Sequence, residues 1–83
     1  MKELVEYLVK SLVDSPQEVQ IEETTDENSV LMELKVAESD MGKVIGKNGH
    51  TINAIRTVLQ AAASSHKIRA KLEVLSERPT DQQ

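Results

Sequence analysis

The chain has 83 residues, a net charge of −4 and a single aromatic side chain, Tyr7. That length allows one domain with a small core, and one tyrosine excludes RNA recognition built on aromatic stacking platforms. Without cysteine, disulfide frameworks and thiolate metal sites are excluded too.

Leu4, Val5, Leu8, Val9 and Leu12 share one side of residues 2–13, with Lys2, Glu3, Glu6 and Lys10 elsewhere, which predicts an amphipathic helix. Asp14-Ser15-Pro16 stops it. Residues 18–25 alternate around Val19 and Ile21, and Asp26-Glu27-Asn28 makes a polar turn. Val30, Met32, Leu34 and Val36 then alternate with Glu33 and Lys35, so the two runs read as a hairpin. Ser39 or Asp40 is placed to cap a short helix over 41–45. A longer helix starts near His50, carries Ile52, Ile55, Leu59 and Ala62 in one stripe, and runs to about Ser64. Residues 67–74 alternate through Ile68, Ala70, Leu72 and Val74 as a third strand. The segment 76–83 has no apolar residue and is expected to be a disordered tail.

The order helix, strand, strand, helix, helix, strand predicts an α+β domain over residues 1–75. Its three-stranded mixed sheet is covered on one face by three helices. The second and third strands enclose a two-helix crossover, the connection that pairs strands in parallel. No apolar run approaches a membrane span, and Glu3 and Glu6 make the N-terminus unlike a secretory leader, so a cytoplasmic location is expected.

Between the two helices of the crossover lies Val44-Ile45-Gly46-Lys47-Asn48-Gly49-His50-Thr51-Ile52. Glycines let another backbone come close, and the helix that follows contributes unpaired N–H groups and the positive end of its dipole. Lys43 and Lys47 add positive charge, and no acid interrupts residues 41–56. A P-loop needs four residues between its glycines and Lys followed by Ser or Thr; here Lys47 is followed by Asn48. The dinucleotide fingerprint G-x-G-x-x-G is absent as well. A plain helix–turn–helix joint, with Gly46 only capping a helix, is the competing reading of the turn alone.

Charge is divided along the chain. Residues 1–40 carry three lysines against eleven acids, a net of −8, whereas residues 41–72 carry six basic residues and no acid. Residues 73–83 return to −2, which restores the total of −4. Such asymmetry predicts one basic working face on an acidic body. Lys67, Arg69 and Lys71 fit either that face or the solvent side of a strand paired with acidic neighbours. His50 and His66 have no partners that would make a metal or catalytic site, and no nucleophile or acid–base pair is apparent; a non-enzyme without cofactor or small-molecule substrate is expected.

Gly46-Lys47-Asn48-Gly49 with Val44, Ile45, Ile52, Ile55 and Arg56 resembles the V-I-G-x-x-G-x-x-I-x-x-I-R core of KH domains. The extra helix and strand before that core resemble the type II, prokaryotic order. The resemblance implies that Gly46, Lys47, Asn48 and Gly49 grip the backbone of a single RNA strand, with Lys43 and Thr51 beside them. It implies that Val44, Ile45, Ile52 and Ile55 line an aliphatic groove for bases and that Arg56 faces a phosphate or base edge. Ile45 and Ile55 fit core as well as groove; Val44 and Ile52, next to the turn, fit groove better. The short Ser64-Ser65-His66 link stands where the family carries a variable loop, a short jaw for the clamp. DNA is not distinguished from RNA by these residues.

Ala54, Val58 and Ala61 form a second apolar stripe beside the first, and the two together span roughly 200° of the helix, more than the roughly 100° a one-sided core uses. Either the N-terminal helix covers the second stripe or another chain does. The resemblance implies self-association, pairing with a larger KH-containing protein, and RNA chaperoning linked to cell elongation, cell shape and cell-wall homeostasis. A scaffold that docks a protein partner, with RNA binding secondary, is the alternative.

Overall fold

The hydrophobic periods of the sequence resolve, in a computed structural model that describes residues 1–75, into three α-helices and three strands joined in places by short 3-10 turns. They are α1 (Lys2–Lys10), β1 (Gln20–Thr25), β2 (Ser29–Lys35), α2 (Met41–Ile45), α3 (His50–Ser65) and β3 (Arg69–Leu75). The expected tail over 76–83 lies outside the described residues. The strand order is β1-β2-β3, with β1 antiparallel and β3 parallel to β2.

Successive side chains of a strand point to opposite faces, so the register decides what meets the helices. Val30, Met32 and Leu34 sit beside Ala70, Leu72 and Val74 of β3. With Val36 they form the sheet's contribution to the core. Val5 and Val9 of α1, Val44 of α2, and Ile52, Ile55, Leu59 and Ala63 of α3 cover them. Each fully buried aliphatic side chain contributes about 1.5–3 kcal/mol. On the open face, the same register places Glu22, Glu33 and Glu73 side by side across all three strands. No helix among the described residues is long and apolar enough to cross a membrane.

Four features differ from the sequence reading. β1 begins at Gln20 rather than at residue 18, because Pro16–Glu18 forms a 3-10 turn. α1 ends at Lys10: Ser11 still donates its N–H and its hydroxyl to the Tyr7 carbonyl, at 3.1 and 2.7 Å, but Leu12 N–H moves to Val9 C=O at 2.9 Å, an i→i−3 bond that tightens the last turn. Leu12 is therefore 39% exposed, and Val13 takes the core position instead. On α3 the stripe closes with buried Ala63 rather than Ala62, since an 11-residue step from Ile52 completes three turns almost evenly. β3 begins at Arg69 rather than Lys67, because Lys67 (φ +59°) is the left-handed residue of a Schellman turn. Lys67 N–H donates to Ser64 C=O and Ile68 N–H to Ala63 C=O, both at 3.0 Å.

Asp40 stands at the N-cap of α2, yet its side chain makes no capping bond, and Ser39 makes none either. The Asp40 carboxylate is 1% exposed and accepts the N–H groups of Asp14 and Ser15, at 3.1 and 3.0 Å. It ties the stretch after α1 to the start of α2 and so sets where the glycine loop emerges.

Candidate nucleic-acid interface

The loop is held in a backbone conformation that its sequence makes possible. Gly46 has φ +78° and ψ 171°, a region open essentially to glycine alone. A Cβ there would lie 2.6 Å from Thr51 Cβ and 2.8 Å from Thr51 N, so both the dihedral and the space require glycine. Asn48 (φ +56°) and Gly49 (φ +76°, ψ 11°) are left-handed, a conformation that asparagine tolerates better than most side chains. A single 3-10 turn over Lys47–Gly49, closed by Gly49 N–H to Gly46 C=O at 3.1 Å, leads directly into α3. No side chain caps α3 at Gly49. His50 N–H closes onto the Lys47 carbonyl, and the N–H groups next in the first turn of α3, which a helix start leaves without an intrahelical acceptor, follow directly on exposed Lys47 and Asn48.

The basic residues are not equivalent. Lys47 has no ion pair among the described residues, whereas Lys43 Nζ lies 3.3 Å from Asp14 Oδ2. Both members of that pair are substantially exposed, a setting worth about 0–1 kcal/mol, so Lys43 is restrained rather than neutralised. Lys71 pairs with Glu73 of its own strand at 3.6 Å, as the solvent-side reading of that trio expects, while Arg69 and Lys67 are exposed.

The four aliphatic residues expected at a groove divide differently from their sequence placement. Val44, beside the turn, is fully buried, and Ile52 and Ile55 are buried as well. They pack beneath the loop as core, because the faces of α2 and α3 that carry them turn into one shared apolar cluster. Ile45 alone of the four keeps partial exposure, and Thr51 is half-buried under Gly46.

Arg56 is committed in part to the fold. Its Nε donates to the Leu72 carbonyl on the outer edge of β3 at 3.2 Å, and Nη1 reaches Asn53 Oδ1 at 3.4 Å. One turn later Gln60 Nε2 donates to the Ala70 carbonyl at 2.6 Å. The sequence reading did not single out Gln60; its spacing of four from Arg56, which puts both on one helix face, is the available signal. On another face of α3, Ala54, Val58 and Ala61 are exposed, Val58 at 45%. α1 therefore does not cover the second stripe.

A Gly-x-x-Gly turn between two helices, packed on a mixed sheet whose second and third strands are parallel, defines a KH domain of the type II order. Residues 2–74 match the protein family described as "KhpA/KhpB, KH domain", and the chain belongs to that family. It is similar to the RNA-binding protein KhpA of Clostridium acetobutylicum, at 55% identity over 90% of this chain and 100% of the relative. With the RNA-binding protein KhpA of Chlamydia trachomatis it shares 49% identity over 94% of this chain and 100% of the relative. Among solved structures, Aquifex aeolicus Era superposes with a TM-score of 0.62 at 14% identity, over 90% of this chain and 30% of that one. That likeness concerns the fold alone.

Proposed function

We propose that this protein binds single-stranded RNA in the cytoplasm, with Gly46, Lys47, Asn48 and Gly49 gripping the sugar–phosphate backbone. The observation that carries the reading is the loop itself: three residues with positive φ and a helix start without a side-chain cap bring backbone to the surface beside Lys47, which has no ion pair among the described residues. Residues 1–75 act as one KH domain. Val44, Ile52 and Ile55 support the loop from below, and Ile45, Thr51 and Arg56 flank the path of the strand. Membership of a family whose relatives are named RNA-binding proteins supports the same reading.

The finer role is that of an RNA chaperone acting post-transcriptionally inside a homo- or hetero-oligomeric complex, with a second copy or a larger KH-containing protein as partner. The exposed stripe of Ala54, Val58 and Ala61 supports the oligomeric part. The chaperone role and a link to cell elongation and cell-wall homeostasis rest on resemblance. The same stripe is what favours the second reading, a scaffold in which the KH fold mainly docks a protein.

Fluorescence anisotropy with a labelled single-stranded RNA of mixed sequence tests the clamp. Lys47→Asp with Asn48→Asp should weaken binding at least about a hundredfold, the effect of the several kcal/mol that like-charge juxtaposition costs. Thermal unfolding should move by no more than about 0.5 kcal/mol, since both side chains are exposed and Asp tolerates the left-handed region. Wild-type affinity should fall with salt at a slope of about −0.7 per phosphate, for about two to four phosphates. A correctly folded double variant that binds as wild type does would show that the loop is not the clamp.

A further inference from the structure

The two outer strands of the sheet end in unlike edges. Beyond β3, side chains of α3 meet the outward carbonyls: Gln60 Nε2 donates to Ala70 C=O and Arg56 Nε to Leu72 C=O. β1, at the opposite edge, has no such cover. Asp26 N–H donates to Ser29 C=O at 2.8 Å where the hairpin closes. In an antiparallel pair every second residue exchanges its backbone bonds with the neighbouring strand. The register therefore turns Gln20, Glu22 and Thr24 towards β2 and leaves the N–H and C=O groups of Ile21, Glu23 and Thr25 pointing outward. Among the described residues no hydrogen bond from another element reaches them. Residues 22–25 are exposed, and Ile21 is half-buried.

An edge with free backbone groups is a template for an added strand, and side-chain charge selects which strand fits. Residues 11–34 carry seven acids and no basic residue. Glu22 and Glu23 stand at the middle of β1, one on each face of the sheet, and neither has an ion pair among the described residues. The β1 of a second copy, laid antiparallel along this edge, would set those glutamates against their own kind, which is destabilising. The β3 of a second copy carries its own Arg56 and Gln60 across the edge it would need. A foreign strand with a basic residue opposite each glutamate meets neither obstacle. Its first basic side chain pairs with Glu23 on the helical face. Its second stands beside Glu22 on the open face and adds a counter-charge to the row of Glu22, Glu33 and Glu73. The residue after that comes to lie beside Ile21, where a β-branched apolar side chain packs.

We infer that the outer edge of β1 is a docking site for an extended basic segment of a partner protein. The segment adds antiparallel as a fourth strand, and it carries two consecutive Lys or Arg residues followed by Val or Ile. Backbone bonds supply the attachment and alternate side chains the selection. The site is separate from the loop, because β1 and β3 are opposite edges of the sheet.

NMR titration of the full chain with the blocked peptide Thr-Thr-Lys-Lys-Val-Thr tests this. The amides of Ile21, Glu23 and Thr25 should shift and exchange more slowly with solvent, whereas those of Glu22 and Thr24, already bonded to β2, should keep their exchange rates. The same peptide with Glu-Glu in place of Lys-Lys should bind at least about fivefold more weakly, from two cross-strand pairs turned repulsive. Glu22→Lys with Glu23→Lys should reverse the order of the two peptides. N-methylation of the first lysine and of the valine, whose N–H groups face β1 in this register, should abolish binding. Equal binding of the N-methylated peptide, or binding that leaves the three outward amides unshifted, would show adhesion to an acidic surface and overturn strand addition. No binding of the basic peptide, or equal affinity for both peptides, overturns the inference as well, the first by showing that the glutamates only guard the edge. Should the double variant not fold, the peptide series on the wild type decides by itself. RNA affinity measured with the peptide bound should stay as it was, and a failure of RNA to bind the loop would leave these outcomes standing.

Discussion

The α2–α3 loop and the open face of the sheet sit in one small domain and differ in both charge and backbone. At the loop, Gly46, Asn48 and Gly49 hold positive φ, and exposed Lys47 has no ion pair among the described residues. On the sheet, Glu22, Glu33 and Glu73 line up on regular strands, where directly opposed like charges are destabilising. A net charge of −4 conceals this division. The glutamate row makes one face unfavourable for a polyanion, whereas the loop sets an exposed lysine beside a helix start on another. The comparison also separates two kinds of residue: at the loop, the backbone itself takes unusual conformations, while on the sheet face only side-chain charge departs from the ordinary.

The sharpest way to break the comparison is at Gly46. Gly46→Ala should cost about 2–4 kcal/mol in urea denaturation, from a glycine-only dihedral and the clash with Thr51. RNA binding should be lost with it. Gly49→Asn, at a left-handed position with no heavy atom closer than 3.9 Å to the new Cβ, should cost less than about 1 kcal/mol. A Gly46→Ala protein as stable as wild type would contradict the loop geometry.

Next in size is Asp40→Ala, which leaves the N–H groups of Asp14 and Ser15 without their acceptor. A loss of about 2–3 kcal/mol is expected, together with weakened RNA binding as α2 loosens, because hydrogen bonds to a charged group are being removed. Unchanged stability would mean that water replaces the carboxylate at no cost.

Val58→Asp should dissociate any self-associated form in sedimentation, since an interface cannot bury an unpaired carboxylate cheaply. With Val58 45% exposed in the single chain, monomer stability should move by only about 0.5 kcal/mol. A wild type that stays monomeric at high concentration removes the helix-stripe interface.

The smallest effect is expected on the sheet. Glu33→Gln, in the middle of the glutamate row, should stabilise by about 0.2–1 kcal/mol by relieving repulsion from both neighbours. Calorimetry should detect the gain, and RNA affinity should stay as it was. A large gain in affinity would place the strand's path over the sheet rather than at the loop.

Much was legible before any coordinates. The order of elements, the hairpin, the parallel third strand and the alternation of Val30, Met32, Leu34 and Val36 follow from hydrophobic periods of two and 3.6, which are local properties. The loop's place was readable for the same reason, as glycine's access to positive φ does not depend on distant residues. The groove was less legible. Val44 and Ile52 flank the turn in sequence, yet the interior claims both, because proximity to a turn does not say which way a helix face points.

What the sequence alone determined, then, is whatever rests on a residue's own conformational preference or on its short-range period: the α+β order, the glycine turn and the division of charge. The tertiary structure decided the partners. Asp40 finds its donors 25 and 26 residues away, Lys43 meets Asp14 across the chain, and Arg56 and Gln60 meet the carbonyls of β3. It also decided that α1 leaves Ala54, Val58 and Ala61 uncovered. A carboxylate, an amide or a methyl group accepts any partner of fitting chemistry, so the choice falls to whichever element the packed core brings within reach.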